Sequence, residues 1–176
     1  MAHVFLKSAF LAALLAVLPA AADSISGPAV QSGELLSADR VIVHKSERRM
    51  ELLREGRTIA NYKISLGLNP SGHKQREGDY RTPEGSYRLT RRNARSDFFL
   101  SVQLSYPEPA DIALARRNGW SPGGLIMVHG LPNAPKYPRD RYLNTDWTDG
   151  CIALSNEDML DFWLLTGPGT PIEIHP

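Results

Sequence analysis

"RVIVHKSERRMELLREGRTIANYKISLG", residues 40–67, decides the fold class. It holds three short segments of β-branched or alternating apolar residues, broken at "SERR" and "REGRT". Alternation with a period of two places apolar side chains on one face of a strand, and charged, Gly-containing breaks separate one strand from the next. A meander of three strands is therefore expected. Working outward, "GSYRLTRRN" (85–93) and "FFLSVQLSY" (98–106) read as two further strands. "GLIMVHG" (124–130) reads as a strand buried on both faces, and "TPIEIHP" (170–176) as the last one.

Two helices interrupt this pattern. "EPADIALARRNG" (108–119) has a Pro-rich start and places Gly119 just past the helix end. "SNEDMLDFWLLTG" (155–167) starts with Ser155 as N-cap and Asp158 three residues on, carries Met159, Leu160, Trp163 and Leu164 as its apolar stripe, and stops at Gly167-Pro168. The expected fold is mainly β with short helices, in a single domain spanning residues 39–176.

The N-terminus has a different texture. Met1–Lys7 carries one positive charge, Ser8–Pro19 is nearly all apolar, and Ala20-Ala21-Ala22 has the small residues of a cleavage site. Residues 1–22 read as a secretory signal peptide, with an apolar run too short to span a bilayer comfortably and an uncleaved amphipathic anchor as the other reading, so export to the periplasm is expected. Residues 23–38 read as a linker. The chain has 20 basic and 19 acidic residues, and Lys7 is the one basic residue of the leader, so the remainder is neutral. No basic stripe offers itself to nucleic acid, and a monomer is expected. One cysteine excludes an internal disulfide, so the core alone holds the fold.

Two irregular segments remain, residues 67–85 and 131–148. Ordered loops of this length in a small domain are usually functional. The second one joins His129 to "TDGC", which contains the only cysteine, Cys151. Cys151 is open to three readings: a small buried hydrophobe, a partner for another chain's thiol, or a nucleophile. A nucleophile needs a base, and among the histidines His129, at the end of an apolar strand, is the better placed. The other reading of His129 is a strand-end histidine satisfied by a carbonyl. Gly150 permits an unusual backbone before the thiol, and the N–H groups of Gly150 and Cys151 could converge on an oxyanion.

"VHG" (128–130), a loop, then "TDGCIAL" (148–154) resembles the signature of the L,D-transpeptidase catalytic domain, the YkuD-type family of bacterial cell-wall enzymes. "GHKQREGDYRTPEGSYRL" (72–89) resembles that family's Gly-Asp-x-x-Thr-Pro-x-Gly-x-Tyr landmark. The resemblance implies a mixed β-sandwich, no cofactor or metal, and ping-pong acyl transfer on peptidoglycan stem peptides. Cys151 would attack the carbonyl of meso-diaminopimelate and expel D-Ala. His129 would serve as base and then acid, and the Gly130 carbonyl would orient its ring. Where the family has His before Gly-Cys this chain has Asp149, with Thr148 beside it. Asp149 either accepts an N–H from His129 or caps the turn, and a supporting role is expected.

The wording of the motifs is also similar to a branch that releases wall-bound lipoprotein, a further possible partner. Arg139, Arg141, Lys136, Lys74 and Arg76 are candidates for binding carboxylates, and Trp147 for a cleft wall. Tyr87, Trp120 and Trp163 are expected in the core. A hydrolase of the same fold and a non-catalytic wall-binding domain are the alternatives. A cysteine activated by His129 is expected to titrate below the free-thiol value near 8.5.

Overall fold

The alternation in residues 40–63 becomes three antiparallel strands: β1 (Arg40–His44), β2 (Arg49–Arg54) and β3 (Arg57–Lys63). Val41 faces Leu52, Val43 faces Met50, and Met50 faces Tyr62, so one side of the meander is an apolar sheet face. The computed structural model describes Met1 and residues 37–176. Apart from Met1, the leader and nearly all of the 23–38 linker lie outside the described residues; Ala38 is buried and donates its N–H to the Leu165 carbonyl.

Five more strands complete one mixed sheet: β4 (Gly85–Ser96), β5 (Phe99–Leu104), β6 (Met127–His129), β7 (Ile152–Ala153) and β8 (Pro171–His175). Their order is β3-β2-β1-β8-β4-β5-β6-β7. The pairs β1–β8 and β6–β7 are parallel; the others are antiparallel. β4 pairs with β8 through its first residues and with β5 further on, with register shifts after Leu89 and Asn93 that turn it from one half of the sheet to the other. Side chains from both halves, among them Met50, Leu52, Leu104, Val128 and Ile152, meet in a single core. Each such side chain contributes roughly 1.5–3 kcal/mol on leaving water.

The sheet then closes on itself. Directly after β3, Ser65 exchanges two backbone hydrogen bonds with Ala153 of β7, at 2.9 and 2.8 Å. Gly67 bridges Thr148. The first and last strands in the sheet order are thus joined by the segment that continues β3.

Among the described residues three helices accompany it: α1 (Pro109–Arg117), α2 (Arg139–Asn144) and α3 (Asn156–Leu165). Ser155 caps α3 by accepting the Asp158 N–H at 3.0 Å. The apolar stripe expected on α3 is corrected: Met159 and Phe162 are fully buried, whereas Leu160 and Leu164 are 45% and 50% exposed. The buried face follows the i, i+3 row through Met159, Phe162 and Leu165, and the two exposed leucines lie one position round the helix. The expected strand 124–130 shrinks to 127–129, because Leu125 takes a left-handed backbone (φ 54°) and is 64% exposed. Trp120 is on the surface, 37% exposed, and Trp163 is half-buried beneath the Arg92 guanidinium, 3.7 Å from the ring centroid. Tyr87 is in the core as expected.

Neither long loop is slack. In 67–85, the buried Lys45 of the β1 end region donates to the Gly72 and Thr82 carbonyls and to Glu84, at 2.7, 3.1 and 2.7 Å. Gly67 is required there, since a β-carbon on it would stand 2.1 Å from the Tyr80 carbonyl oxygen. The 131–148 segment contains α2, too short and too proline-flanked to show a helical period in the sequence. Its Tyr142 is buried and its carbonyl accepts from Ser65 Oγ at 2.8 Å.

Phe162→Ala should lower unfolding free energy by about 3–5 kcal/mol, the usual cost of emptying a packed aromatic site. Leu160→Ala should stay within about 0.5 kcal/mol. Urea titration of both variants checks the assignment of the α3 face.

Candidate active site

The parallel pairing of β6 and β7 sets Val128 against Ile152 and His129 against Ala153. His129, at the end of β6, and Cys151, immediately before β7, therefore come to neighbouring strand ends. Both line one cavity of about 290 Å3, together with Phe98, Leu125, Met127, Trp147, Thr148 and Asp149.

His129 is buried, and its Nδ1 lies 2.7 Å from the Gly130 carbonyl oxygen. A carbonyl cannot donate, so Nδ1 carries the proton and Nε2 is left as the acceptor. Phe98 and Trp147 contact the ring, with centroids at 4.6 and 5.5 Å. Burial pushes the imidazole down to about 4, against the pull of the Gly130 bond, so it is neutral at pH 7.

The thiol is displaced the other way. Burial raises it and Asp149 adds to this, while a Met127 N–H facing the sulfur and the Lys74 ammonium oppose. Its near contact is the Leu125 carbonyl, 3.7 Å from Sγ. This corrects the expectation of a thiol depressed below the free value: no imidazolium stands beside it, and the apolar wall favours its neutral form. The resting site is a neutral thiol and a neutral imidazole.

The turn before Cys151 is held by Thr148. Its Oγ1 accepts the Gly150 N–H at 3.1 Å and donates to the Cys151 carbonyl at 2.7 Å. Thr148, not Asp149, is thus the side chain that caps this turn, and the Gly150 N–H is engaged inside it rather than turned toward a ligand. Gly150 itself has φ 127°, and a β-carbon there would come 2.6 Å from the Arg81 carbonyl oxygen. Asp149 is exposed and makes no hydrogen bond with His129; it stands on the cavity rim.

The cationic candidates separate. Lys74 is buried and paired with Asp79 at 2.8 Å, and Arg139 pairs with Glu157. Lys136 and Arg141 line a larger groove of about 740 Å3, which shares Phe98 and Trp147 with the cavity of Cys151. Arg141 lies over the Tyr137 ring at 3.8 Å. Arg76 lies elsewhere, over Trp120. Leu125 and Met127 reach the cavity on the segment that carries His129, whereas Phe98 reaches it only through the strand register that pairs Ser101 with His129.

A β sheet closed on itself, with a cysteine and an oriented histidine at its parallel strand ends, defines the class. The sequence model of the L,D-transpeptidase catalytic domain (YkuD) matches residues 38–174, and the chain belongs to that family. YafK of Escherichia coli (strain K12), named by assignment as an L,D-transpeptidase, is 26% identical over 148 residues, 76% of this chain and 52% of its own. The chain thus spans about half the length of the curated relatives it matches. Among solved structures, the helical cell shape determining protein Pgp2 of Campylobacter jejuni has a TM-score of 0.59 at 24% identity, over 81% of this chain and 51% of that one. Bd1075 of Bdellovibrio bacteriovorus has a TM-score of 0.55 at 20% identity, over 80% and 51%. These two likenesses establish the fold.

Alkylation of Cys151 by iodoacetamide across pH should give an apparent pKa above the free-thiol value of about 8.5. Asp149→Asn removes a negative charge near the sulfur and should lower that pKa by a fraction of a unit, without loss of fold. A wild-type value well below 8 would contradict the neutral resting site.

Proposed function

We propose that the protein is an exported cysteine acyltransferase acting on meso-diaminopimelate-containing peptidoglycan stem peptides in the periplasm. The observation that carries this reading is the neutral His129, its Nδ1 committed to the Gly130 carbonyl, lining the same cavity as Cys151. A neutral imidazole with a free Nε2 is a base waiting for a proton, and the thiol beside it is the acid.

The stem peptide brings its diaminopimelate carbonyl to Sγ. As the S–C bond forms, the thiol proton passes to His129 Nε2. The carbon–nitrogen bond to the terminal D-Ala then breaks, and His129 returns the proton to the leaving amine. The thioester is resolved by an amine, giving a cross-link, or by water, giving hydrolysis; His129 accepts the proton of either. The Cys151 N–H is the amide nearest the developing oxyanion. Lys136 and Arg141 in the adjoining groove suit the carboxylates of the stem. Asp149 is not essential to the chemistry: its carboxylate at the rim raises the thiol and helps keep it protonated at rest. Wall-linked lipoprotein is a further acyl donor or acceptor consistent with the same site.

Incubation of the purified protein with muropeptides, with and without an added amine acceptor, followed by mass spectrometry, tests this. Loss of D-Ala or new cross-links should appear, and Cys151→Ala should abolish them with an unchanged circular dichroism spectrum. His129→Gln should slow turnover by about 10²–10⁴-fold. Asp149→Asn should retain most activity. Full activity in the Cys151→Ala protein would end the proposal.

A further inference from the structure

The Gly-Asp-x-x-Thr-Pro loop takes no part in the chemistry above, yet it builds a cavity of its own. This cavity, about 380 Å3, is lined by Asn69, Gln75, Arg76, Arg81 and Trp120, and shares no lining residue with the catalytic one. Asp79 also borders it, but its carboxylate is already engaged. Oδ1 accepts from Lys74 Nζ and the Arg81 N–H, at 2.8 and 3.1 Å, and Oδ2 from the Gln75 and Arg76 N–H groups, at 2.7 and 3.0 Å. These bonds fix the backbone on which both arginines stand.

Neither arginine is neutralised. Among the described residues no carboxylate forms an ion pair with Arg76 or Arg81. Arg81 Nη1 makes only a 3.5 Å contact with the His73 carbonyl. The Arg76 guanidinium lies 5.3 Å from the centroid of the Trp120 ring, itself partly open to solvent. Two planar forks with unused donors and one aromatic wall make a site for an anion attached to an apolar stem. The position matters as well. The Arg81 carbonyl rests against Gly150, so the cavity lies behind the turn that presents Cys151.

We propose that this cavity is a second binding subsite, for a carboxylate-bearing peptide chain, with Arg76 and Arg81 holding the carboxylate and Trp120 packing against the chain beside it. The transpeptidase reading supplies the identity of that chain, a peptidoglycan stem; the site itself is testable without turnover.

The test uses the full chain carrying Cys151→Ala, titrated calorimetrically with three probes: a disaccharide-tetrapeptide muropeptide, the same compound with its carboxylates amidated, and penta-glutamate. Adding Arg76→Gln and Arg81→Gln together should weaken both free acids at least tenfold and leave the amidated compound unchanged. Arg76→Lys with Arg81→Lys, which keeps the charge and loses the fork, should recover part of the affinity and guards against a folding defect in the Gln pair. Equal affinity of the Gln pair and its parent for both acids overturns the subsite, as does absence of binding by the parent. If the arginine dependence on penta-glutamate holds while the wild-type protein leaves muropeptides unprocessed, the subsite stands and the transpeptidase reading falls.

Discussion

The two hydrogen bonds between Ser65 and Ala153 are the constraint on which the rest depends. They join the continuation of β3 to β7 and so close the eight-stranded sheet. β7 is only two residues long and could not hold its place through β6 alone. With a partner on either side, from the Leu154 N–H to the His129 carbonyl at 2.9 Å and from Ala153 to Ser65, it becomes a fixed shelf. Cys151 stands at the edge of that shelf. Cys151 is thus positioned by backbone pairing between residues far apart in the chain, and Thr148 trims only the last turn.

Burial then sets the electrostatics. The same enclosure lowers the imidazole and raises the thiol, so each group is held in its uncharged form and neither stabilises the other in advance. A site of this kind is quiet toward small electrophiles. It forms charge only when the thiol proton has an acceptor. For the only cysteine of a chain expected in an oxidising compartment, that reserve is useful, since oxidation follows thiolate character.

Much of this was legible in the sequence because it lies in local periods. Residues 40–63 alternate and form a meander; Ser155 and Asp158 mark a helix start; the glycine before Cys151 has the backbone only glycine takes easily. The pair His129 and Cys151 was legible through motif. What was lost depends on long-range register or on rotation about an axis. Leu160 and Leu164 satisfy a helical spacing yet face water, because the core selects the neighbouring row. Lys74 reads as a loop cation, but Asp79 five residues on claims it. Phe98 reaches the imidazole only because β5 pairs with β6. Trp120 reads as core by composition and is a surface wall.

Closure of the sheet also governs how a peptide can be recognised. An exposed strand edge at the catalytic end would invite strand addition, in which an extended chain borrows backbone N–H and C=O groups from the sheet. Here that edge is already filled by residues 65–67 of the protein itself. Strand addition at that edge is therefore closed, and what remains open beside Cys151 is the cavity and the groove that adjoins it.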